Sequence, residues 1–494
     1  MTEDTAAPSR TPAADTPTPQ PRGGLDRFFH ITARGSTVGT EIRGGLATFF
    51  AMSYIVVLNP LVIGLIADAN GSQLGLARVA AATSLVSGIM TILMAVIAKQ
   101  PFAMSAGLGI NAFLAATMAT TPNLTWPELM GMVVWAGVIM FVLVLTGFRT
   151  AVFNAVPESL KVAIVVGIGL FISFIGFVNA GFIRRTPDAA GTTVPVTFGV
   201  DGQLIGWPIL VFLVGLFLTI ALMIRKVRGA ILIGVIASTV LAVILEAVAP
   251  SGTSADSATG WSLVAPSLPS QWLSLPDLSL VGAVDLFGGF TSLGAMAASL
   301  LVFAILLSVF FDAMGTSVGL ATEAGTVDRQ GNIYGMNRVL AVDALGSVAG
   351  GGASASSSQI FVESATGIGE GARTGLATVV TGLLFLAAMF FSPLVNIVPF
   401  EAVAPALVVV GFLMVRQAVH VQWDDWGLGI PAFLTIAMMP FTYSIADGIG
   451  AGFVSFTFIR LVQGRGREVH PLMYLVSLAF LAYFGMGLIQ GWTH

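Results

Sequence analysis

Three side chains have the type and the setting to bind a polar ligand inside an apolar chain. Asp312 closes the run "LLVFAILLSVFFDAMG" (300–315), Glu363 lies in "SSSQIFVESATG" (356–367), and Asn111 lies in "AMSAGLGINAFLA" (103–115). A bare carboxylate at mid-bilayer costs several kcal/mol, so such acids are rare and mark function unless a cation pairs with them. No Lys or Arg accompanies either acid within its apolar segment; Arg373 comes ten residues after Glu363. Both acids therefore read as functional. Asn111 stays open between a ligand contact and a helix-helix hydrogen bond or helix cap.

Two carboxylates and an amide suit a ligand that carries several N–H donors and little charge. A carboxylate accepts two parallel N–H bonds, and an Asn amide pairs bidentately with a purine edge. Phe310, Phe311, Phe361 or Phe113 offers a stacking face, and Ser364 adds a hydroxyl beside Glu363. Burial also favours the protonated form of a carboxyl, which makes one of the two acids a candidate for carrying a coupling proton. Enzyme chemistry has no equivalent support. The chain has no Cys, and His30, His420, His470 and His494 all fall in tails or at segment ends. No metal or cofactor site and no phosphate-binding motif is expected, and nothing suggests a nucleic-acid partner.

The elements that must position these residues span a membrane. Of 494 residues, 56% are hydrophobic and only 9% charged, with a mean hydropathy of +0.92, whereas a soluble domain carries about 25% charge. Apolar stretches long enough to cross a bilayer occur near 44–67, 76–98, 128–149, 157–182, 207–225, 229–249, 293–321, 373–393 and 399–418. Shorter or interrupted ones occupy 101–120, 337–352, 354–371, 427–442 and 444–463, which makes about fourteen, with 470–491 unplaced. With the N-terminus inside, all of the 21 lysines and arginines except Arg78, Arg184 and Arg185 fall on the inner side, as the positive-inside rule requires. Residues 1–26, rich in Pro, Thr and Ala, read as a disordered cytoplasmic tail.

The chain also repeats itself. "FLTIALM" (217–223) recurs as "FLTIAMM" (433–439), and the same offset carries Ile233-Gly234 onto Ile449-Gly450. "NAVPESLKVAIVVG" (154–167) is similar to "NIVPFEAVAPALVVVG" (396–411). Two halves of seven spans must run in opposite senses, and inverted repeats place a binding site at the midplane between broken helices. The broken segments 100–115 and 350–375 are each the third span of a half. Glu158 and Glu401 follow prolines that open spans, and both read as acids favouring a helix N-terminus.

These residues carry a family resemblance. "GGLATFFAMSYIVVLNPLVIG" (44–64), "AMSAGLGINAFLA" (103–115), "FFDAMGTSVGLATEAG" (310–325) and "SSSQIFVESATGIGEGARTGLATVVTGLLFL" (356–386) resemble the first, third, eighth and tenth spans of the nucleobase–cation symporter-2 superfamily. The match is to its AzgA-like branch of adenine, guanine and hypoxanthine permeases. The resemblance implies an all-α membrane protein of fourteen spans in a 7+7 inverted repeat, with short strands in spans 3 and 10. It implies a substrate-holding core (44–149 plus 293–393) and a gate (157–249 plus 399–463) that often forms dimers. The repeats would run over 27–250 and 293–463, joined by an outside loop at 251–292, with 464–494 beyond.

The resemblance also implies roles. Asp312, Glu363 and Asn111 would take the substrate-binding positions of spans 8, 10 and 3, and Thr316 a second polar coupling position. Many branch members carry a further acid three residues before the span-8 Asp, where this chain has Val309. The reading is a secondary transporter of the cell membrane that imports purine nucleobases with protons. A uracil, xanthine or other anion carrier of the same fold, or a channel, remains the alternative.

Overall fold

The computed structural model describes residues 23–146, 155–185, 196–200, 202–227, 229–254, 257, 259–262, 265–268, 271–326 and 334–485. Of the expected tail 1–26, residues 1–22 lie outside this set, and a short helix begins at Gly24.

Among the described residues, eight helices are long and apolar enough to cross a membrane: Val38–Ile63, Leu76–Ala98, Trp126–Leu145, Glu158–Asn179, Trp207–Ile224, Ala230–Val248, Gly375–Val395 and Phe400–His420. In chain order these are spans 1, 2, 4, 5, 6, 7, 11 and 12. Span 3 is a strand, β1 (Met104–Ala106), followed by the helix Leu108–Thr120. Span 8 is Ala295–Ala324 and span 9 is Met336–Gly352. Beyond the hairpin of β2 (Ile183–Arg185) with β3 (Val196–Phe198), the fourth strand, β4 (Ser358–Ile360), leads into the helix Ser364–Gly369 to make span 10. Spans 13 and 14 are Trp426–Thr442 and Ile445–Val462. The stretch at 470–491 contributes one more helix, Pro471–Phe484, packed on spans 14 and 8.

Packing obeys the exchange of span n with span n+7. Spans 9 and 4 pack together, as do 2 and 11; spans 12 and 6 pack as 5 and 13 do; 6 and 7 pair as 13 and 14 do. The repeated heptamers lie in spans 6 and 13, so the sequence duplication and the spatial one coincide. Glycines let these backbones approach, the device that membrane helices use in place of a hydrophobic driving force. A Cβ at Gly411 of span 12 would run into Ser173 and the Gly169 carbonyl of span 5, and one at Gly137 of span 4 would meet Val348 and Ser347 of span 9.

The two broken spans meet at the centre. β1 pairs antiparallel with β4, Met104 opposite Ile360, Ser105 opposite Gln359 and Ala106 opposite Ser358. Two further bonds extend the ladder, from Phe361 N to Ala103 O and from Gly107 N to Ser357 O, both 2.9 Å. Non-helical backbone at this depth is stable only when its polar groups are satisfied inside the protein, and the neighbouring spans do this in matching ways. From span 2, the Thr91 hydroxyl brackets Met104, donating to its O (3.0 Å) and accepting from its N (2.9 Å), while Ser87 bonds Ser105. From span 9, Asp343 Oδ1 accepts from Ile360 N (3.1 Å) and Ser347 bonds Ser357 (2.8 Å). Ser354 and Ser356, with φ of 51° and 70°, make the turn that delivers β4.

Candidate functional site

The strand pair ends at a cavity of about 130 Å³. Gly107 to Gly109 at the start of the span-3 helix, Asp312 and Thr316 of span 8, and Gln359 to Glu363 of span 10 form one wall. Val165 of span 5 and Val410, Leu413 and Met414 of span 12 form the facing wall, with Gln417 in the last turn of span 12. The first wall is polar. The second is apolar apart from Gln417.

Each polar group arrives by a distinct local device. Asp312 is presented by the middle of a 30-residue helix, about two turns past the all-apolar stretch around Ala304. Glu363 sits where β4 gives way to the span-10 helix, as its N-terminal flanking residue. Its Oε1 accepts a 2.7 Å bond from the hydroxyl of Tyr54, which lies at the break between the two helices of span 1. Asp312 and Glu363 are close enough to interact electrostatically. The Nε2 of Gln359 is buried without a partner among the described residues. Its Oε1 side lies where a side chain on Gly107 would stand, so glycine there keeps the amide at the cavity. The helix that starts at Leu108 has no side-chain cap, so its first N–H groups are available to a ligand at a partially positive end.

Of the expected site residues, Asp312, Glu363, Thr316 and Phe361 line the cavity together. The Phe361 ring is 5% exposed and supplies the flat apolar surface; Phe310 is packed in the core instead, and Phe113 faces a different chamber. The side chain of Phe311 lies outside the described set. Ser364 does not line the cavity: its hydroxyl accepts from Ala103 N (3.0 Å), fastening span 10 to the residue before β1. Asn111 is 1% exposed, also away from the cavity lining, and both of its amide atoms lack a partner among the described residues. Glu401 does more than favour its helix N-terminus, because its Oε1 accepts from both the N and the hydroxyl of Ser262 (2.8 Å each) and ties down the loop between spans 7 and 8.

Tyr54, Gln359 and Asp343 complete the arrangement and were not singled out by the sequence reading. Asp343, wholly buried in span 9, bonds β4 through one oxygen while Oδ2 has no partner among the described residues, and it lies within electrostatic reach of Asp312. The signal was present: "RVLAVDALGSVAG" places an acid in an apolar helix just as the stretch around Asp312 does. No group of His, Cys, Asp and Glu among the described residues is arranged to hold a metal ion.

A helical membrane domain with a polar-walled cavity between two broken, oppositely running helices is built as a membrane transport protein. Comparison with known proteins makes the class specific. The profile of the Permease family, named for xanthine and uracil permeases, matches residues 39–451, and the chain belongs to that family. It is 35% identical over 463 residues to the guanine/hypoxanthine permease PbuG of Bacillus subtilis, covering 93% of this chain and 99% of that protein. It is also 35% identical over 459 residues to the adenine permease AdeQ of Escherichia coli, covering 93% and 95%. Among solved structures, the transmembrane domain of a cyanobacterium bicarbonate transporter, BicA, superposes with a TM-score of 0.52 at 14% identity, over 85% of this chain and 96% of that one. The inward-facing murine Solute Carrier 26 family member A9 anion transporter does so at 0.57 and 12%, over 86% and 68%. These two likenesses concern the fold alone. The nucleobase–cation symporter-2 resemblance read in the sequence thus holds, and the chain is a multi-pass transport protein rather than an enzyme.

Proposed function

We infer that the protein imports purine nucleobases (adenine, guanine or hypoxanthine) across the cell membrane with protons. The observation that carries this reading is the pairing of two half-buried carboxylates, Asp312 and Glu363, with the Phe361 ring around one cavity. A purine offers ring and exocyclic N–H groups to the acids and a planar face to the ring. The family of the relatives points the same way. Two acids on one wall disfavour an anionic ligand by like-charge repulsion.

In this reading the polar wall belongs to a moving core, 44–149 plus 293–393, and the apolar wall to a static gate, 157–249 plus 399–463. The core slides against the gate and carries the purine with it. An apolar gate wall supports this, because few polar bonds to it must break as the core moves. Asp312 and Glu363 hold the N–H groups of the base, and at least one exchanges the coupling proton, with Thr316 beside them. The N-terminus lies in the cytoplasm, and the gate forms a homodimer interface within the bilayer.

Purified protein in liposomes under an imposed proton gradient should accumulate labelled adenine, guanine or hypoxanthine, and an uncoupler should abolish the accumulation. Uptake that follows a sodium gradient instead would overturn the proton assignment. Competition by uracil or xanthine but by no purine would overturn the substrate assignment.

A further inference from the structure

A second chamber, of about 160 Å³, shares spans 3 and 8 with the first and lies farther along span 3. Phe113, Thr117 and Thr120 of span 3, Tyr443 and Ser444 at the turn between spans 13 and 14, and Phe480 of the C-terminal helix line it, with the first turns of span 8. Residues three or four apart share a helix face, so Gly109, which lines the first cavity, and then Phe113, Thr117 and Thr120 form one stripe along span 3. The four residues from Gly109 to Phe113 cover about 6 Å of helix. Along span 3 about one turn therefore separates the two linings, and Phe113, which is 2% exposed, stands at the end of the second chamber nearer the first.

Tyr443 closes the span-13 helix with a left-handed backbone, φ 56°. Glycine takes that position without strain, whereas a bulky side chain there is costly. A residue held in a sparsely populated conformation at a cavity wall invites a functional explanation. The Tyr443 ring packs edge-on against Phe171 of span 5 at 5.3 Å. Its hydroxyl and that of Thr117 have no hydrogen-bond partner among the described residues. The chamber thus holds aromatic surface and two uncommitted hydroxyls, in a volume close to that of the first cavity.

We propose that this chamber is an outer binding station for the same planar, N–H-bearing heterocycle, with Tyr443 supplying ring and hydroxyl, Thr117 a facing hydroxyl, and Phe113 the end nearer the first cavity. The proposal rests on the nucleobase reading of the inner cavity. Ligand entering from outside is held here before the core brings Asp312 and Glu363 to it.

The chain contains no cysteine, so Thr117→Cys installs a single reporter thiol, and Thr120→Cys serves if that variant folds poorly. The expected result is modification by a membrane-impermeant methanethiosulfonate added outside, slowed at least fivefold by saturating adenine, guanine or hypoxanthine. Protection should persist in an Asp312→Asn background and disappear when Tyr443→Ala is added. Protection lost with Asp312→Asn alone would mean that the purine acts only from the inner cavity, and the station would fall. A thiol that stays unreactive from either face, as in a lipid-filled crevice, would also overturn it. Purine uptake measured on the Thr117→Cys variant with Asp312 intact separates the two claims. Uptake without protection sinks the station and leaves transport standing; protection without uptake does the reverse.

Discussion

Tyr54 donates to one oxygen of Glu363 and leaves the other to the cavity, so in the proposed function the acid would meet the purine in a fixed orientation. Hydrogen bonds to charged groups contribute about 1.5–3 kcal/mol. Tyr54→Phe is therefore expected to raise the half-saturating purine concentration roughly tenfold or more while the protein still folds, as initial uptake rates at graded concentrations would reveal. Asp312→Asn and Glu363→Gln should abolish purine-driven proton uptake in liposomes with size-exclusion behaviour unchanged; coupled uptake in both variants at the wild-type rate would refute their assigned role. Asp343 makes a finer distinction. Asp343→Leu leaves Ile360 N–H without its acceptor, costing about 1–3 kcal/mol, and should weaken purine binding by loosening β4. Asp343→Asn keeps an oxygen in place and should retain most binding by calorimetry.

At the scale of elements, an acid of span 1 serves a helix far away in the chain. Glu41 is fully buried, and its carboxylate accepts from the backbone N–H groups of Arg373 (2.9 Å), Thr374 and Ala377 (3.3 Å each). It thus fills the role of an N-terminal cap for span 11. Glu41→Ala should cost about 1–2 kcal/mol by analogy with cap removal, visible as a lowered Tm with the order of purine preference unchanged. Spans 3 and 10 illustrate the opposite case, in which an element exists only through its partners. Three residues of strand have no stability alone, and β1 and β4 persist because Thr91, Ser87, Asp343 and Ser347 hold them from either side.

At the scale of the molecule, sliding of core on gate requires that the two surfaces touch without being locked. Gly109 of span 3 meets Ile168 of span 5 so closely that a side chain on the glycine would lie 2.7 Å from it. In this cysteine-free chain, the pair Gly109→Cys and Ile168→Cys should form a disulfide that stops uptake, and dithiothreitol should restore it. Transport that continues at full rate through the crosslink would rule out relative movement at this contact. In the proposed mechanism, the exchange of span n with span n+7 would supply a reason for two-sided access: a nearly symmetric scaffold would offer the core matching seats toward either face.

The sequence by itself determined the membrane, the inverted duplication and the family. Those follow from composition, from repeated segments such as "FLTIALM", and from motifs around Asp312 and Glu363, all of them local or periodic signals. It also determined that two acids without cations must share a polar setting, since a lone buried charge is too costly to retain without use. Only the tertiary structure decided which polar residues face that setting. Ser364 and Asn111 stand beside the right motifs, yet one is spent on Ala103 and the other is turned away from the cavity lining. Gln359 reaches the cavity from a strand, and Tyr54 reaches Glu363 from a helix break. Their direction is set by strand register and helix packing between segments about 300 residues apart, and no local pattern in the chain encodes it.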